Sequence, residues 1–572
     1  MKVLKFGGTS VGSAKIINKV IDILKRESKS SNIAVVVSAV GGITDKLLNA
    51  AELAILKDTK YKEVHKEIKQ LHLNIIDELI TSDQSRVKEV INAKLSDLKQ
   101  LLDGLYLINE LSPKTKDKLL SYGELMSSFI ISKALKHNDL DSVLKNSQEL
   151  IITDNKYTQA SVIKEITESN VTEFFSNNTA KITLLPGFIS KSIDDEFTTL
   201  GRGGSDYTAA ILAANLNAEE LQIWTDVSGM YTTNPKIVKQ AKPISKLSYL
   251  EAVELSHFGA KVLYPPTVQP VLDKNIPIVN KNTMAPDEMG THISNQVTNG
   301  NGLPVKGISN ITDIALLTLQ GNGMVGIPGF SKRLFETLSN EKINVILITQ
   351  ASSEHSICIG IEEQDADKAK AALDESFENE ISLHKIDPLI VEKELSIVAI
   401  VGDKMKNHQG ISGRMFSALG KNNVNVRAIA QGASELNISA VIKKSDVKKA
   451  LNTLHESFFE TKLKQVNIFI TGVGNVGEKL IEQIFGQQDF VRENLKLNLR
   501  IIGLSNSKYM FFDYNGIEQQ NWKTQLLNGE SASPEEFYNR IIELNLRNSV
   551  FVDVTASEDI ANLYSKYLKQ SI

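Results

Sequence analysis

Short apolar runs alternate with longer amphipathic stretches through the first 300 residues of the chain. Five runs are rich in leucine or β-branched residues and are bounded by glycine, proline or polar residues, a pattern that predicts buried parallel strands. These runs cover residues 3–6, 33–37, 182–185, 221–225 and 276–279. Residues 45–140 are predicted to be mostly helical, with Lys and Glu on the exposed faces. The alternation predicts α/β architecture.

Residues 305–463 contain an internal repeat at a constant offset of 81 residues. The segments that align without a gap are 329–335 with 410–416, 344–345 with 425–426, 348–350 with 429–431, and 353–354 with 434–435. Each copy has the pattern strand, helix, strand, strand, helix, which indicates two paired modules. The second copy has no closing strand of its own before the run at 466–471, and strand exchange between the copies would supply one.

Two changes of pattern divide the chain. Residues 282–304 are dense in Asn, Gly, Pro and Thr and show no sustained periodicity, which predicts a boundary. A new β-α-β pattern begins at residue 464. We therefore expect three regions, covering residues 1–300, 301–463 and 464–572. The length of 572 residues agrees with this division, because roughly 150 residues per domain gives about four domains when the repeat counts as two.

Composition excludes several classes of protein. Hydrophobic residues make up 42% of the chain and charged residues 23%, the net charge is −4, and no Lys/Arg block predicts a nucleic-acid partner. The single cysteine, Cys358, allows neither a disulfide within the chain nor a Cys-rich metal site. No apolar run is long enough to predict a membrane span. The N-terminus enters a strand without a targeting segment, so we expect a cytoplasmic protein.

The first candidate site is a glycine turn at residues 5–12, Lys-Phe-Gly-Gly-Thr-Ser-Val-Gly. It follows a predicted strand and opens a helix, so backbone N–H groups and the helix dipole would attract an anion. It is not a Walker loop, because Ser13 and Ala14 stand where Lys and Ser/Thr would be needed. Taken alone, the segment is equally compatible with a plain glycine turn of an α/β sheet.

Two further segments also follow strands, where open α/β sheets bind their ligands. Residues 200–206, Leu-Gly-Arg-Gly-Gly-Ser-Asp, form a second glycine turn that presents Arg202 and Asp206 together. Arginine suits a two-point grip on a carboxylate. Residues 224–236, Trp-Thr-Asp-Val-Ser-Gly-Met-Tyr-Thr-Thr-Asn-Pro-Lys, offer polar and aromatic groups suited to a nucleotide.

Five segments together resemble the aspartate kinases of the amino-acid kinase fold. They are residues 5–12, 36–39 with 44–45, 201–206, 224–236 and 258–265, in the order and spacing of that family. The resemblance implies ATP-dependent phosphorylation of the β-carboxylate of L-aspartate, with Mg²⁺ held on ATP largely by phosphate and water. The acceptor is ionised at neutral pH, so positioning and charge neutralisation should carry catalysis without a general base.

The resemblance also implies roles for individual residues. Lys5 and Lys261 match phosphate-side lysines, and Asp206 should orient Lys5. Arg202 should bind the α-carboxylate of the substrate and Glu124 its ammonium group. The residues expected to line the substrate pocket are Ser38, Thr44, Glu124 and Arg202. The residues that match ATP contacts are Lys5, Gly7, Gly8, Thr9, Ser10, Thr225, Asp226, Tyr231, Lys236 and Lys261.

Some of these assignments depend wholly on the family context. Without it, Glu124 would be an ordinary exposed acid of a helix and Tyr231 a packing residue. One segment also departs from the family pattern, because Asn234-Pro235-Lys236 stands where the family often has Asp-Pro-Arg. Lysine keeps the charge of arginine but loses its planar fork, so we expect nucleotide affinity to be altered and not abolished.

The repeated modules resemble ACT domains, which bind amino acids at module interfaces. Placed after a kinase region, they imply feedback control and a homo-oligomer assembled through the modules. Gln350 and Gln431 occupy equivalent positions of the repeat and match glutamines linked to threonine binding in threonine-sensitive members. An amide can both donate to and accept from a bound amino acid, so threonine is the expected effector. The alternatives are glutamines bonded to backbone, and a dimerisation platform without a ligand.

An apolar run at 466–471 and a glycine-rich turn, Gly-Val-Gly-Asn-Val-Gly at 472–477, begin the last region. An amphipathic helix follows, so this is the dinucleotide fingerprint in the context that it requires. The next predicted strand, 499–504, is followed by Ser505 and Lys508 and by no acid, which favours NADP over NAD. The expected cofactor contacts are Gly472, Gly474, Asn475, Val476, Gly477, Ser505, Lys508 and Thr555.

The last region resembles the N-terminal half of homoserine dehydrogenase, which implies a partial Rossmann domain. An amino-acid kinase fold, tandem ACT modules of the ferredoxin-like α+β class and this domain form the layout of bifunctional aspartokinase/homoserine dehydrogenases. The substrate-binding part of the dehydrogenase would lie downstream of Ile572. We therefore expect a fragment that cannot oxidise or reduce homoserine by itself. The alternatives are a kinase for glutamate or acetylglutamate, and a non-enzymatic sensor of amino acids and nucleotides.

Overall fold

The computed structural model describes residues 1–257, 263–295, 304–350, 355–432, 436–459, 463–570 and 572. These residues form two compact units. The first consists of Met1–Tyr231 and Pro243–Leu303, and the second of Thr232–Lys242 and Pro304–Ile572. Segment 232–242 therefore belongs to the second unit, although both of its neighbours in the chain belong to the first. Within the described residues, no helix combines the length and the apolar character that a membrane crossing requires.

Strands and helices alternate along the first unit, as the hydrophobic pattern predicts. The strands are β1 (Lys2–Phe6), β2 (Ile33–Val37), β3 (Ser142–Leu144), β4 (Ile152–Thr153), β5 (Ile182–Pro186), β6 (Ile189–Ser192), β7 (Phe197–Thr199), β8 (Leu221–Thr225), β9 (Lys246–Leu247), β10 (Ile278–Asn282) and β11 (Thr291–Ile293). The α-helices are α1 (Ala14–Glu27), α2 (Ile43–Ile55), α3 (Tyr61–Leu79), α4 (Gln84–Ile108), α5 (Pro113–His137), α6 (Lys164–Asn177), α7 (Gly204–Asn215), α8 (Tyr249–His257) and α9 (Pro265–Asp273).

The main sheet of the first unit has the strand order β3-β5-β2-β1-β8-β10-β11-β9. β1 lies between two parallel neighbours, with Lys5 in register with Val36 of β2 and Ile223 of β8. These strands are apolar and almost fully buried, as expected for a parallel sheet covered on both faces. Their carboxyl ends meet at one edge, where such sheets bind ligands. β4, β6 and β7 form a separate small sheet.

Helices α2 to α5 occupy the long segment that the sequence predicts to be helical. Each buries one face; in α4, for example, Ile91, Leu95 and Leu98 follow each other at helical spacing and are almost fully covered. α5 begins at Pro113, and the hydroxyl of Ser112 caps it by accepting a hydrogen bond from the N–H of Thr115. This helix carries Glu124, one of the residues predicted to line the substrate pocket.

Two details differ from the predicted pattern. The strand predicted at 276–279 begins later, as β10, because the N–H of Ile276 donates to the carbonyl oxygen of Val271 at the end of α9 and Pro277 has no N–H. The segment 282–304, predicted to be irregular, contains β11, which pairs with β10 and β9. A three-residue strand is too short to show a period of its own in the sequence.

The second unit holds the repeat and the last region. Its strands are β12 (Gly307–Gln320), β13 (Val345–Gln350), β14 (Ser356–Glu362), β15 (Ile390–Val401), β16 (Val426–Gln431), β17 (Asn437–Lys443), β18 (Lys464–Thr471), β19 (Leu497–Ser505), β20 (Tyr509–Phe512), β21 (Glu530–Ser531) and β22 (Ser549–Asp553). Its α-helices are α10 (Phe330–Asn340), α11 (Ala366–Ser376), α12 (Glu378–Ser382), α13 (Ile411–Lys421), α14 (Val447–Phe459), α15 (Asn475–Gly486), α16 (Gln488–Phe490), α17 (Trp522–Leu527), α18 (Pro534–Leu544), α19 (Glu558–Ala561) and α20 (Tyr564–Lys569).

The two copies of the repeat share one six-stranded antiparallel sheet, β13-β14-β12-β15-β17-β16. The first module is formed by β12 to α11 and the second by β15 to α14, each with the predicted order of elements. β12 and β15 are long enough to serve both modules. Residues 390–395 of β15 close the first module, and residues 307–311 of β12 close the second. The missing closing strand is therefore supplied by exchange between the copies.

The offset of the repeat extends to backbone angles and ring contacts. Residues with positive φ recur in pairs, Asp313 with Glu394 and Lys342 with Asn423. The guanidinium of Arg333 lies 4.1 Å from the ring centre of Phe377, and that of Arg414 lies 4.9 Å from the ring centre of Phe458. The duplication thus preserves backbone positions with positive φ in both copies. It also preserves a cation–π contact between an arginine of the first helix and a phenylalanine at the end of the second helix of each module.

The last region forms a sheet of order β21-β20-β19-β18-β22. β18 lies between parallel β19 and β22, and β20 and β21 continue the sheet as antiparallel strands. A first strand at the centre of three parallel strands is the arrangement of a mononucleotide-binding half of a doubly wound fold. Phe469, Ile470 and Ile502 are fully buried in it.

Segment 232–242 is held by the second module. The carbonyl oxygen of Thr232 accepts a hydrogen bond of 2.7 Å from the N–H of Ile308, and its hydroxyl is hydrogen-bonded at 2.9 Å to Nε2 of the buried His455. Val238 is fully buried in the apolar core that β12, α13 and α14 share. The segment is therefore an integral part of the second module's packing.

Candidate functional sites

A cavity of about 360 Å³ lies beyond the carboxyl ends of β1 and β2 in the first unit. Glycine turns and the start of α7 form its walls, as the sequence predicts for an α/β sheet. The predicted residues that line it are Lys5, Gly8, Ser38, Thr44, Glu124, Arg202 and Asp206. Residues as far apart in the chain as Lys5 and Asp206 therefore converge on one small volume.

Lys5 and Asp206 form a close ion pair inside this cavity. Nζ of Lys5 lies 2.6 Å from Oδ1 of Asp206, and only 10% and 15% of the two side chains are exposed. Lys5 projects from the central strand and Asp206 from the first turn of α7, so both ends of the pair have rigid supports. The carboxylate therefore holds the lysine ammonium in one place in the cavity.

Glu124 is a buried carboxyl group that is only half satisfied. Oε1 accepts a hydrogen bond of 3.2 Å from the N–H of Ala39, whereas Oε2 is buried without a hydrogen-bond partner among the described residues. Burial raises the pKa of Glu124 to about 8. The approach of α5 requires Gly123, because a Cβ there would lie 2.9 Å from Cβ of Ala39. The protein thus keeps a carboxyl oxygen ready for a donor that it does not itself supply.

Arg202 supplies the opposite charge in the same cavity. It lies on the glycine turn before α7, is exposed, and has no ion pair with another described residue. A free guanidinium and an unsatisfied carboxyl group in one cavity match the carboxylate and ammonium groups of an α-amino acid. Ser38 and Thr44 add hydroxyl groups to the same wall.

The predicted phosphate turn differs in detail from the prediction. Gly7 is extended, and the turn leads into a 3₁₀ helix, Gly8–Val11, while α1 begins only at Ala14. The predicted helix after the turn is thus divided into a 3₁₀ helix and α1, because Ser13 is extended and interrupts the helical backbone. Only the tighter 3₁₀ turn directly follows β1 and presents its N–H groups there.

Several predicted nucleotide contacts have internal partners in the structure. The hydroxyl of Ser10 is buried, donates to the carbonyl oxygen of Trp224 and is hydrogen-bonded at 2.8 Å to the hydroxyl of Thr283. The hydroxyl of Thr225 accepts from the N–H of Val227. Thr9 is exposed, so it is the freer of the two hydroxyl residues in the phosphate turn. The nucleotide roles of Ser10 and Thr225 remain predictions.

The structure describes three of the four remaining residues predicted to contact ATP, and it assigns them to different units. Asp226 is exposed and Tyr231 half-buried, both in the first unit. Lys236 belongs to segment 232–242 of the second unit, where the side chain of Asn234 accepts a hydrogen bond from its N–H. Lys261 lies outside the described residues. The nucleotide contacts predicted for these residues therefore stay predictions.

One residue important for the shape of the cavity is absent from the predicted set. Asp117 is fully buried on α5, and its carboxylate accepts from the N–H of Thr158 at 2.8 Å and from both the N–H and the hydroxyl of Thr199, at 3.1 and 2.7 Å. Thr199 ends β7, immediately before the turn that carries Arg202. Asp117 thus anchors that turn to α5, and no motif in the sequence distinguishes it from other helix acids.

A second cavity, of about 260 Å³, lies beyond the carboxyl ends of β18, β19 and β22. Gly472, Ser505 and Thr555, all predicted cofactor contacts, line it. The rest of the wall consists of small polar residues and apolar side chains that include Phe537 and Tyr567. The dinucleotide fingerprint therefore borders a cavity at the position where doubly wound sheets bind nucleotides.

The other cofactor predictions surround this cavity. Gly474 caps α15, and Asn475 and Val476 are exposed in its first turn. Gly477 packs so closely that a Cβ would lie 2.0 Å from the carbonyl oxygen of Gly472. Lys508 is exposed in the turn between β19 and β20, whose shape is held by the side chain of Asn506. The third glycine thus has the helix-packing task that the fingerprint requires.

Gln350 and Gln431 lie at equivalent places, as the repeat predicts. They end β13 and β16, the two edge strands of the shared sheet, and both side chains are exposed. Oε1 of Gln431 accepts a hydrogen bond of 3.4 Å from Ser412 at the start of α13. Both amides are accessible at sheet edges, and their binding of an effector stays a prediction.

Two families match along the chain. Residues 1–282 match the amino acid kinase family, and residues 317–377 and 398–458 match the ACT domain. The bifunctional aspartokinase/homoserine dehydrogenase of Haemophilus influenzae is 36% identical over the whole chain, which covers 70% of that relative. A chloroplastic bifunctional aspartokinase/homoserine dehydrogenase of Arabidopsis thaliana is 33% identical, and the chain covers 63% of it. The chain belongs to the bifunctional aspartokinase/homoserine dehydrogenase family.

A solved structure of aspartokinase III from Escherichia coli, in complex with aspartate and ADP, resembles this chain with a TM-score of 0.69. The sequence identity is 29%, and the match covers 80% of this chain and all of that structure. Aspartate kinase from Clostridium acetobutylicum matches with a TM-score of 0.66 and 28% identity, again over 80% of this chain. These matches establish the predicted amino-acid kinase fold and its ACT modules.

Proposed function

We propose that this chain transfers the γ-phosphoryl group of ATP to the β-carboxylate of L-aspartate and forms 4-phospho-L-aspartate. The observation that carries the proposal is the pairing of the half-satisfied Glu124 carboxyl with the free Arg202 guanidinium in one cavity, beside the Lys5–Asp206 ion pair. Glu124 binds the ammonium group and Arg202 the α-carboxylate. The amino acid is thereby held by its two constant groups, which leaves its side chain directed towards Lys5.

The chemistry requires little from the protein beyond placement and charge. An oxygen of the β-carboxylate forms a bond to the γ-phosphorus of ATP, the bond to the β-phosphate oxygen breaks, and ADP leaves with that electron pair. No proton moves, because acceptor and leaving group are both anions. Lys5 stabilises the negative charge on the transferred group, and Asp206 keeps the ammonium in position.

The nucleotide is proposed to lie over the glycine turn after β1. Gly8 lines the cavity, and the neighbouring segment 224–231 follows β8 at the same sheet edge. A Mg²⁺ ion bound with ATP takes most of its ligands from phosphate oxygens and water, and it would neutralise charge on the phosphates. Lys261, Tyr231 and Lys236 are retained as proposed contacts on the family resemblance alone.

The ACT modules are proposed to regulate the kinase through a bound amino acid, with threonine as the effector. Gln350 and Gln431 would bind it, because both present an exposed amide at an edge strand. Ile348 and Ile429, two residues earlier on the same strands, are 54% and 45% exposed. Exposed apolar edge strands are suited to pairing with another chain, which supports a homo-oligomer formed through the modules.

The cavity beside Gly472 is proposed to bind NADP. Open space beside Gly474 leaves room for a pyrophosphate at the N-terminus of α15, and the exposed Lys508 is suited to a 2′-phosphate. The bound cofactor would supply hydride-transfer chemistry to a dehydrogenase. The homoserine dehydrogenase activity named for the relatives is a proposal for the protein that contains this chain, because the chain spans 62 to 70% of the relatives' length.

A substrate screen tests the kinase proposal. ADP formation should be measured with aspartate, glutamate and acetylglutamate, with and without threonine, lysine or methionine. We expect turnover with aspartate alone and inhibition by threonine. Arg202→Ala should raise the KM for aspartate by about 10²-fold, as the loss of a bidentate charged contact implies. Preference for another amino acid, or absence of turnover with all of them, would identify the alternative kinase or the sensor instead.

A further inference from the structure

A third cavity, of about 190 Å³, lies inside the second unit where three parts of the chain meet. They are segment 232–242, helix α14 of the second module, and the strands and loops of the last region. Hydrogen bonds connect the parts: Gln240 donates to Gln465, and Asn545 donates to the carbonyl oxygen of Ser445. The cavity around Lys5 and Glu124, called the kinase cavity below, shares no lining residue with it. The cavity beside Gly472, called the cofactor cavity below, shares none either.

The charge of this cavity is one-sided. Its charged lining residues are Lys239, Lys448, Lys449, Arg500 and Arg547, and no carboxylate is among the described residues that line it. Most of the remaining wall consists of Asn and Gln side chains, whose amides can donate further hydrogen bonds. A small cavity that combines several cations with amide donors is suited to a compact anion with several negative charges.

Two of the lysines converge on one ring. Nζ of Lys448 lies 4.1 Å and Nζ of Lys239 5.6 Å from the ring centre of Tyr514. The two ammonium groups come from different parts of the chain and carry the same charge, so their approach is unfavourable unless an anion lies between or beside them. Lys239 also donates to the side chain of Asn515.

The two arginines differ in how far they are satisfied. Arg547 is almost fully buried and lies 3.5 Å from Oε2 of Glu456, and it also donates to the carbonyl oxygen of Asn452. Arg500 donates to the carbonyl oxygen of Tyr514, but its Nε is buried without a hydrogen-bond partner among the described residues. Burial foremost, and also the charge of Arg547, lower the pKa of Arg500.

Among the described residues, the acids near these cations offset their charge only in part. Glu456 is engaged by Arg547 and by the side chain of Asn548. Asp446 and Asp513 act on Lys449 and Arg500 through charge alone, and burial is the dominant influence that lowers the pKa of Lys449. Within the described part of the chain, positive charge therefore remains in a partly desolvated place, which is costly until an anion binds.

We propose that this cavity is a binding site for a phosphate group, either free phosphate or a small phosphate monoester. Lys448, Lys449 and Lys239 would surround the phosphate oxygens, and Arg500 would supply a planar donor. A ligand there would connect segment 232–242 to α14 and to the last region. Because this segment continues directly from Tyr231, such a ligand would stabilise the stretch of chain that follows the proposed nucleotide loop.

The test is calorimetric titration of the whole chain with inorganic phosphate and, separately, with O-phosphoserine. The test variant is Lys448→Gln/Lys449→Gln, and the control is Lys404→Gln/Lys406→Gln, which removes the same charge from exposed positions of the same module. Lys5→Met identifies the share of phosphate that binds in the kinase cavity. We expect a binding step that weakens about tenfold or more in the test variant and persists in the control and in Lys5→Met.

The affinities for inorganic phosphate and O-phosphoserine are compared, and the ligand that binds more tightly shows whether the site takes free phosphate or a phosphate monoester. An isotherm that is unchanged in Lys448→Gln/Lys449→Gln, or one that weakens equally in the control, overturns the proposal. Arg500→Gln provides a second variant, and a circular-dichroism melting curve establishes that each protein is folded at the temperature of titration. Weakening of the step in both test variants at retained fold supports the site, and its retention in either variant excludes it.

Discussion

The kinase cavity and the cofactor cavity are both located at the carboxyl ends of parallel strands, but they are lined by different kinds of residue. The first is lined by charged side chains that are paired or poised, among them Lys5, Glu124 and Arg202. The second has no charged residue in its described lining and is formed by backbone turns, small hydroxyl and amide groups and aromatic rings. The kinase cavity therefore depends on the charges of its side chains, and the cofactor cavity depends on glycine positions that have no side chain.

This difference determines which substitutions should impair the function of each site. In the kinase cavity, removal of a charge should reduce catalysis or binding without changing the fold, since electrostatic stabilisation acts in the bound state. In the cofactor cavity, the addition of a single methyl group to a glycine should disturb the close packing of the turn and helix that border the cavity. Substitutions at the two sites should also leave each other's function intact.

The largest effect is expected at Lys5. Lys5→Met should lower kcat for aspartate phosphorylation about 10²–10³-fold, the usual loss when one group that stabilises the transition state is removed. Lys2→Met is the matched control, because Lys2 lies on the same strand and pairs with Glu27 and Glu220 instead. Steady-state ADP production measures both. Retention of more than about a tenth of kcat in Lys5→Met would contradict the role of Lys5, whereas NADPH binding should be unchanged.

The next effect is a pH dependence of aspartate binding. The pKa of Glu124 is raised to about 8 by burial, so the free enzyme holds a proton there below that pH. The ammonium group of aspartate needs the ionised form, so affinity is greatest above pH 8 and falls as the pH decreases. The KM should rise by up to about tenfold per pH unit between about pH 8 and 6.

Proton release gives a direct measure of the same coupling. Binding of aspartate at about pH 7 should expel nearly one proton, which is detected by titration calorimetry in buffers of different ionisation enthalpy. Glu124→Gln should remove both the proton release and the slope of KM with pH, at the cost of weaker binding throughout. A slope that persists in Glu124→Gln would assign the titration to another group.

Much of the kinase cavity could be predicted because its residues belong to motifs that follow strands. Lys5 precedes one glycine turn, Arg202 lies in a second and Asp206 follows it in α7, and the structure brings the three together as expected. Asp117 could not be found in this way, because its three hydrogen-bond donors come from Thr158 and Thr199, which are distant in the chain, and its own neighbours resemble those of any helix. The raised pKa of Glu124 could not be predicted from the sequence either, because the burial that causes it depends on tertiary packing.

The repeat shows a second limit of sequence reasoning. A constant offset of 81 residues predicted the element order of both modules. The pattern showed that a closing strand was missing and suggested an exchange, but it did not show that β12 and β15 are each one continuous strand that serves two modules. Periodicity reports which face of a strand is buried but not which neighbour it pairs with. The short strand β11 was missed for the simpler reason of its length.

The cofactor cavity should respond to a change of volume. Gly477→Ala places a Cβ 2.0 Å from the carbonyl oxygen of Gly472, and such overpacking costs about 1–3 kcal/mol. NADPH affinity, measured by fluorescence, should fall about tenfold or more, while kinase activity is retained. Gly486→Ala on the same helix is the control, since a Cβ added there meets open space. Equal affinities in the two variants would refute the packing argument.

The smallest effect is expected at Asp117, which acts on the kinase cavity only through the turn that it anchors. Asp117→Asn replaces one acceptor oxygen by an N–H donor that faces other donors, so it should cost about 1–3 kcal/mol of stability. Displacement of Arg202 should raise the KM for aspartate several-fold while kcat and the KM for ATP stay nearly constant. Asp97→Asn on the exposed face of α4 should change none of these. Equal changes in kcat and both KM values would indicate a general loss of structure, and would reduce Asp117 from a positioning residue of the charged cavity to an ordinary buried acid.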